Sequence, residues 1–293
     1  MKVIALALCA MAMVSADGVK QTILRDKLQA RLQRIAGDLD GVMGYAVLDL
    51  TTGERLAHLE NEVFPTASTI KIAILYELFR RADEGTVRLE EMRPLDRRHA
   101  VGGSGVLSHL GTPSLSLRDY ATLMITISDN SATNVLIDLL GAEAITKRMG
   151  ALGLPATRLR RRMIDLAAAR RGDENVSTPA ELVRLLQLIC KSEGLTTRSR
   201  DELIGILRKP KSSPMRRGTP SSVEVADKPG GLEGVEVDAG VVFVPGRTYA
   251  LAVMTTYLRD TPAGSAAIEQ AAQATYEYFS RVAAGGQYGR PIP

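Results

Sequence analysis

A serine and a lysine three residues apart, Ser68 and Lys71, offer the clearest nucleophilic chemistry in the sequence. They begin a segment with helical spacing, so both side chains lie on one face of a helix, about one turn apart. A hydroxyl becomes a good nucleophile when a base accepts its proton, and an uncharged lysine amine is such a base. N–H groups at the helix N-terminus would stabilise an oxyanion beside Ser68. The alternative is a helix cap followed by a surface lysine, and the pair alone does not separate the two interpretations.

Three polar residues, Ser128, Asp129 and Asn130, separate one predicted helix from the next. All three types favour a helix N-cap, which is the structural explanation for them. A cap also fixes a hydroxyl and an amide at a helix junction, as a proton relay and a substrate anchor require. Because the two explanations are compatible, this segment is a candidate for the same site.

A third segment, Lys228-Pro229-Gly230-Gly231, lies next to a predicted strand. Pro-Gly-Gly is typical of a turn. In the functional interpretation, Lys228 is a cation beside an exposed strand edge, and the glycines let a substrate approach the backbone closely. The segment therefore predicts either a turn or one wall of a binding site.

The elements that must position these residues are strands at both ends of the chain and helices between them. Periodicity predicts helices over 22–36, 66–84, 117–125, 131–139, 143–152, 179–193 and 262–283. It predicts strands over 42–50, 55–59, 223–227, 235–244 and 248–257. Strands from both ends most simply share one sheet. The predicted fold class is α/β, an antiparallel sheet flanked by the terminal helices, with an inserted all-helical lobe.

The domain prediction follows from this order of elements. Residues 17–293 form one catalytic domain, with a sheet lobe over 17–63 and 220–293 and a helical lobe over 64–219. The Pro-, Ser- and Lys/Arg-containing segment 208–222 is predicted to link the two lobes.

Together the three segments resemble the class A β-lactamases, whose Ser-x-x-Lys, Ser-Asp-Asn and Lys-Thr-Gly motifs occur in this order. Here 60 residues separate Ser68 from Ser128, and 100 separate Ser128 from Lys228. The resemblance covers nearly the whole chain after residue 16. It extends to Phe64-Pro65-Thr66-Ala67, Gly103-Ser104-Gly105-Val106-Leu107, Ser131-Ala132-Thr133-Asn134 and Val176-Ser177-Thr178-Pro179. It implies acyl transfer without a cofactor or a metal.

The resemblance also implies a role for each matching catalytic position. Ser68 is expected to be acylated, and Lys71 to help deprotonate it. Ser128 is expected to pass a proton to the leaving nitrogen. Lys228 is expected to stabilise charge near Ser128 and the substrate carboxylate.

The implied substrate-binding residues are Asn130, Gly230 and Gly231. Asn130 would orient the amide side chain of the substrate, and the N–H groups of Ser68 and Gly231 would form the oxyanion hole. The expected substrate is a small molecule, either a β-lactam or a peptidoglycan-like compound.

The deacylating base departs from the family pattern. The glutamate that the resemblance implies falls at or near Met163, and no glutamate occurs from Ala144 to Asp173. Asp165 is the nearest carboxylate and the candidate substitute. Losing a positioned base typically costs about 10²–10⁴-fold in rate. The acyl-enzyme is therefore expected to be long-lived unless Asp165 or Lys71 substitutes.

Two further departures concern the substrate carboxylate. Pro229 replaces a threonine, which removes a hydroxyl and a backbone donor. Asp238 stands where an arginine is expected, and an acid would repel a carboxylate. Arg160, Arg161 and Arg162 compensate if their loop faces the cleft; the alternative is a solvated loop.

The N-terminus resembles an export signal. Lys2 precedes an apolar run over 3–14, and small residues at 15–16 suit cleavage. The run is too short for a stable membrane span, and a buried N-terminal helix is the alternative. The expected location is secreted or periplasmic.

The cysteines are not expected to form a disulfide. Cys9 would leave with residues 1–16, so Cys190 is expected to be an unpaired, buried structural thiol.

Other functions are disfavoured by composition. The formal net charge is only +4 and the chain contains no Trp, so stacking on nucleic-acid bases is not expected. The histidines His58, His99 and His109 lack the spacing of metal ligands. The chain is expected to be a monomer.

Three functions stay open: a β-lactamase-like hydrolase, a penicillin-binding D-Ala-D-Ala peptidase or esterase, and a non-catalytic cell-wall binding protein.

Overall fold

The computed structural model describes residues 18–286 and 289–290, so the predicted signal, 1–16, lies outside the described residues. The helices are α1 (Val19–Asp38), α2 (Lys71–Asp83), α3 (Leu117–Thr126), α4 (Asn130–Leu140), α5 (Ala142–Ala151), α6 (Leu166–Arg170), α7 (Pro179–Cys190), α8 (Thr197–Arg208), α9 (Pro214–Arg217) and α10 (Thr261–Ala284). The strands are β1 (Val42–Asp49), β2 (Arg55–His58), β3 (Phe64–Pro65), β4 (Met92–Pro94), β5 (Ser114–Ser116), β6 (Val176–Ser177), β7 (Glu224–Leu232), β8 (Val235–Phe243) and β9 (Tyr249–Thr256). Across this part of the chain, each helix is too short or too polar to cross a membrane.

Five strands form one antiparallel sheet in the order β2-β1-β9-β8-β7, so the two ends of the chain meet in it. β1 pairs with β9 along its whole length, from Val42 opposite Thr256 to Asp49 opposite Tyr249. β7 is an edge strand that pairs with β8. Its free edge lies against the 3₁₀ turn Ala67–Ile70, which carries Ser68.

Two hydrophobic cores hold this sheet between layers of helices. α1 and α10 cover one face, where Tyr45 and Tyr249 are fully buried and the Tyr249 ring stacks on Phe279 with centroids 4.2 Å apart. The inserted helices, including α2 and α7, pack on the other face. The first nine residues of α2 are all buried, and each large apolar side chain among them contributes roughly 1.5–3 kcal/mol. This packing fixes α2, and with it Lys71, inside the protein.

The predicted fold class is confirmed: the terminal helices flank an antiparallel sheet, and helices are inserted between its second and third strands along the chain. The division into two lobes stays a prediction. The predicted strand 223–227 was too short, because β7 continues to Leu232 and Lys228–Gly231 lie in the strand, not in a turn. An edge strand tolerates Pro229. The predicted linker 208–222 contains α9.

Candidate active site

Ser68 lies on a constrained turn at the start of α2. The preceding Ala67 has φ 43°, a left-handed conformation that costs of order 1–3 kcal/mol, and such strained residues cluster at active sites. The turn is held from both sides: Thr66 donates its N–H and hydroxyl to Asn175 O at 2.9 and 3.0 Å, and Thr69 Oγ1 donates to Thr66 O at 2.7 Å. The hydroxyl of Ser68 is thus presented, half-buried, by a backbone that cannot easily relax.

Lys71 is fully buried, and its amine contacts the second candidate segment. Nζ donates to Ser128 O at 2.8 Å, to Ser128 Oγ at 2.9 Å and to Asn130 Oδ1 at 3.1 Å. Burial, and next the positive charge of Lys228, hold the pKa of Lys71 well below its usual range, although Asp129 opposes them. An amine with a lowered pKa can be uncharged and accept a proton, as the sequence interpretation requires.

Ser128 joins the amine to the nucleophile. Its Oγ donates to Ser68 Oγ at 2.9 Å, and its left-handed backbone, φ 56°, turns the hydroxyl toward both partners. Hydroxyl hydrogens rotate freely, so this contact carries a proton in either direction. Ser68, Ser128 and Lys71 therefore form one continuous proton path.

Asp129 fixes the loop at the mouth of the site. Its Oδ1 accepts from Ala132 N at 2.8 Å, which caps α4, and its Oδ2 accepts from Val106 N and Leu107 N at 2.7 and 2.9 Å. Gly105 has φ +106°, and a Cβ there would lie 2.2 Å from Asp129 Oδ2. The N-cap predicted from Ser128-Asp129-Asn130 is present and coexists with the contacts of Ser128 and Asn130.

Asn130 is anchored at both ends of its amide. Oδ1 accepts from Lys71, Nδ2 donates to Gly102 O at 3.1 Å, and the backbone N–H donates to Ser104 O at 3.1 Å. Gly103 has no Cβ, and one there would lie 2.9 Å from Nδ2. The amide is therefore held rigidly in the cleft wall.

Lys228 reaches the same hydroxyl from β7. Its Nζ donates to Ser128 Oγ at 3.2 Å and to Pro229 O at 2.7 Å. Burial lowers the pKa of Lys228 to about 8, while the charges of Asp238 and Asp227 oppose that shift. The geometry thus brings Ser68, Lys71, Ser128 and Lys228 together.

The two glycines that follow Pro229 differ in how tightly they approach the nucleophile. A Cβ at Gly230 would lie 2.4 Å from Ser68 N, so only glycine lets β7 run this close to the turn. A Cβ at the exposed Gly231 would meet only the flexible carboxylate of Glu236, at 2.7 Å. The edge of β7 therefore forms one wall of the site beside Ser68.

Ser68 opens into a cleft of about 220 Å³. The residues that line it are Ala67, Ser68, Gly103, Ser104, Asn130, Arg161, Met163, Ile164, Glu174, Asn175, Gly231 and Leu232. The carboxylate among them, Glu174, accepts from Arg161 Nη2 at 2.8 Å. The cleft is small and polar on the side of the motifs and lined by Met163 and Ile164 on the other.

Met163 faces the cleft where the resemblance implied a glutamate. Asn134 holds its backbone on both sides: Met163 N donates to Asn134 Oδ1 at 2.9 Å, and Asn134 Nδ2 donates to Met163 O at 3.2 Å. Asp165 instead caps α6, with Oδ1 accepting from Ala168 N at 2.9 Å. The structure places Asp165 outside the set of cleft-lining residues.

The charged residues that the sequence analysis weighed for the substrate carboxylate make internal contacts. Arg160 pairs with Asp173 at 3.4 Å, Arg161 with Glu174, and Arg162 with Asp138. Of these three arginines, Arg161 lines the cleft. Asp238 is fully buried and accepts from Met215 N at 3.0 Å, so it does not face a substrate.

Two asparagines that position the site had no predicted role. Asn134 fixes Met163, and Asn175 Oδ1 accepts from Arg160 N and Arg161 N at 2.7 and 3.0 Å while its backbone holds Thr66. Both are almost fully buried. Asn134 belonged to the segment Ser131-Ala132-Thr133-Asn134, whose family resemblance was the available signal. Cys190, expected to be fully buried, is partly exposed at the end of α7; burial raises its pKa to about 11.

Comparisons with known proteins identify the family to which this geometry belongs. Residues 27–279 match the family model described as beta-lactamase enzyme family. The chain belongs to this beta-lactamase family. It is 30% identical over 269 residues to beta-lactamase AST-1 from Nocardia asteroides, and the match covers 86% of both chains. It is therefore a serine hydrolase of the β-lactamase type.

The solved structures that it resembles include two of PBP-A. PBP-A superimposes with a TM-score of 0.80 and 32% identity, over 86% of this chain and 96% of PBP-A. A mutant of PBP-A, solved as an acyl-enzyme complex with penicillin-G, has the same TM-score and identity, over 87% of this chain and 96% of that one. The chain thus resembles both a named beta-lactamase and PBP-A.

Proposed function

We propose that this beta-lactamase family member is an exported serine hydrolase in which a β-lactam, or a related amide or ester, acylates Ser68. The observation that supports this most directly is the proton path from Ser68 Oγ through Ser128 Oγ to Lys71 Nζ, with both contacts at 2.9 Å. Burial of Lys71 lowers its pKa and so favours the uncharged amine that the path needs.

In the proposed acylation, Ser68 Oγ forms a bond to the substrate carbonyl carbon while its proton passes to the Lys71 amine. The N–H groups of Ser68 and Gly231 stabilise the oxyanion. The carbon–nitrogen bond then breaks, and Ser128 delivers the proton to the leaving nitrogen. Lys228, which contacts Ser128, stabilises the negative charge of the substrate carboxylate. Asn130 orients the substrate amide, and Gly230 allows the close approach of β7.

Deacylation is proposed to be slow. Water must lose a proton to attack the ester, and the thioether of Met163 cannot accept one at the position of the missing glutamate. Asp165 Oδ1 is engaged in capping α6, so its use as a substitute base requires that cap to open or Oδ2 to act alone. Lys71 is the other candidate base.

A second candidate function is a penicillin-binding D-Ala-D-Ala peptidase or esterase, favoured by Met163 in the cleft and by the likeness to PBP-A. A non-catalytic binding protein is the third. The converging contacts of Ser68, Lys71, Ser128 and Lys228 argue against it, because binding alone does not require a buried lysine pair around a hydroxyl.

Intact-mass spectrometry after incubation with penicillin-G tests the proposal. We expect one adduct, mapped to Ser68, that persists for hours, and none on the Ser68→Ala variant. Loss of the adduct within seconds would indicate an efficient β-lactamase. Absence of an adduct, with ester substrates also left intact, would favour the binding protein.

Export is proposed from the sequence of residues 1–16 and has its own test. Fusing these residues to alkaline phosphatase, which is active only after export, should give activity outside the cytoplasm. The same fusion with Lys2→Glu and an interrupted apolar run should stay inactive. Activity of both fusions, or of neither, would contradict the proposed signal.

A further inference from the structure

Helix α4 carries three polar side chains, four residues apart, along one face. These are Asn130, Asn134 and Asp138, and the spacing places them one above the other. The first two hold loops of the cleft, because Asn130 donates to Gly102 O and Asn134 donates to Met163 O. Asp138 lies one turn further along the helix and takes no part in the proposed mechanism. Its place in the row raises the question of which loops it holds.

The carboxylate of Asp138 joins two segments that are distant in sequence. Its Oδ2 lies 2.6 Å from His99 Nε2, and its Oδ1 accepts from Arg162 Nη2. Arg98 Nη2 lies 3.9 Å from Oδ2. Only 17% of the Asp138 side chain is exposed, so salt screens these contacts less than it screens an open surface pair. Each carboxylate oxygen therefore holds a different segment.

His99 ends the 3₁₀ turn that leads into residues 100–106, which we call the mouth loop. The residue is only 5% exposed, and its Nδ1 is buried without a hydrogen-bond partner among the residues that the structure describes. Because a carboxylate only accepts, the proton of the neutral ring lies on Nε2 and is donated to Asp138. Burial, and then the charge of Arg98, lower the pKa of His99, which favours this neutral ring.

Both segments continue directly into walls of the cleft. Gly103, four residues after His99, lines one wall, and Met163, the residue after Arg162, lines the other. The walls approach each other closely, since a Cβ at Gly103 would lie 3.2 Å from Ile164 Cδ1. A small displacement of either segment therefore changes the width of the cleft.

We infer that Asp138 is a positioning residue that holds the mouth loop and residues 160–165, the Met163 loop, at a fixed separation. Both loops are held by one carboxylate on one helix, so α4 sets the width of the cleft beside Ser68. The consequence for substrate rests on the proposed function. A looser cleft should bind penicillin-G more weakly before acylation, whereas the proton path from Ser68 to Lys71 does not pass through Asp138 and should stay intact.

Hydrogen–deuterium exchange, followed by mass spectrometry, tests the shared contact without any substrate. Asp138→Ala should speed exchange in both the mouth loop and the Met163 loop, by about tenfold, the usual effect of losing a hydrogen bond to a charged group. The matched control is Asp173→Ala, which removes the exposed ion pair with Arg160 and should leave both loops near the wild-type rates. Unchanged exchange of either loop in Asp138→Ala would overturn the inference.

Arg162→Met keeps the inference testable if Asp138→Ala does not fold. The Arg162 side chain is 45% exposed, so its loss leaves the core intact. This variant should speed exchange in the Met163 loop, because one arm of the shared contact is gone. Exchange at the wild-type rate there would overturn the inference.

The concentration dependence of acylation by penicillin-G tests the effect on substrate. Asp138→Ala should raise the half-saturating concentration by about tenfold and leave the limiting acylation rate nearly unchanged, because binding weakens while the chemistry is kept. A fall in the limiting rate at an unchanged half-saturating concentration would contradict the positioning role. If the wild type is not acylated at all, the proposed function fails, and the exchange experiment still decides whether Asp138 holds both loops.

Discussion

The two sides of the cleft differ in how completely they are equipped for chemistry. On the motif side, Ser68, Lys71 and Ser128 are joined by hydrogen bonds of 2.9 Å, and Lys228 contacts Ser128 at 3.2 Å. The opposite side, here called the loop side, contains Met163, whose backbone is held by Asn134. The side chain of Met163 can neither accept nor donate a catalytic proton. In the proposed mechanism, forming the acyl-enzyme needs only the first side, whereas its hydrolysis needs a base on the second.

The difference shows that positioning and chemistry are separable in this fold. The loop side keeps its supports, because Asn134 still fixes the backbone of Met163 and Asn175 still joins the loop to Thr66. Only the side chain that would act as the base differs. Under the proposed function, the supports of a deacylating base are present without the base itself, and a single residue can test that separation.

The largest effect is expected on the motif side, from Lys71→Ala. Removing the buried amine ends the proton path, so the acylation rate should fall by about 10²–10⁴-fold. Stopped-flow measurement with a chromogenic cephalosporin reports this rate. The exposed Lys191→Ala is the matched control and should acylate normally. Equal rates in both variants would mean that Lys71 is not the base.

The loop side should respond next, to Met163→Glu. Asn134 holds the backbone at this position, so the new carboxylate faces the cleft and should speed decay of the Ser68 adduct by about 10²-fold. Decay is followed by intact-mass spectrometry. Met163→Gln, which has nearly the same size but no basic group, should leave the decay unchanged. Equal decay in both variants would contradict the assigned position of the base.

Gly230→Ala should have a smaller effect, because it pushes strand β7 away from the turn that carries Ser68. The added Cβ would lie 2.4 Å from Ser68 N, so β7 or the turn must shift. Misplacement by about 1 Å can cost about 10²-fold, and we expect a loss of acylation between roughly tenfold and that value. Gly231→Ala, whose Cβ meets only a flexible side chain, should change the rate little. Similar losses for both would show that the close approach is unimportant.

The smallest effect is the pH dependence of acylation. Burial lowers the pKa of Lys228 to about 8, so the protonated form is lost as the pH rises through that value. The acylation rate should fall about tenfold between pH 7 and pH 9. Lys71 acts as a base in the proposed mechanism, and rising pH favours its uncharged form, so it should add no loss over this interval. A flat profile, with unfolding excluded by circular dichroism, would show that the charge of Lys228 is not needed.

The residues that meet at the site could be predicted from the sequence, whereas their supports could not. Ser68, Lys71, Ser128 and Lys228 were recognisable because their order and spacing resemble a known set, and the sheet followed from strands at both ends of the chain. Strand β7 was predicted too short, because Pro-Gly-Gly is typical of turns and only an edge strand beside Ser68 accommodates it.

The long-range contacts of the site left no local signal in the sequence. Asn175 reaches Thr66 across 109 residues, and Asp238 bonds to Met215 across 23. An acid at position 238 was expected to face the substrate carboxylate, because sequence alone does not show that its carboxyl group is fully buried behind β7.

The contrast between the two sides of the cleft is tested most directly by mixing the wild-type enzyme with excess penicillin-G and following hydrolysis from the first milliseconds onward. If acylation is supported and deacylation lacks its base, one substrate per enzyme should be consumed rapidly, followed by a much slower steady rate. The burst should disappear in Met163→Glu as the second step accelerates. Linear hydrolysis by the wild type without a burst, or no consumption at all, would contradict the account.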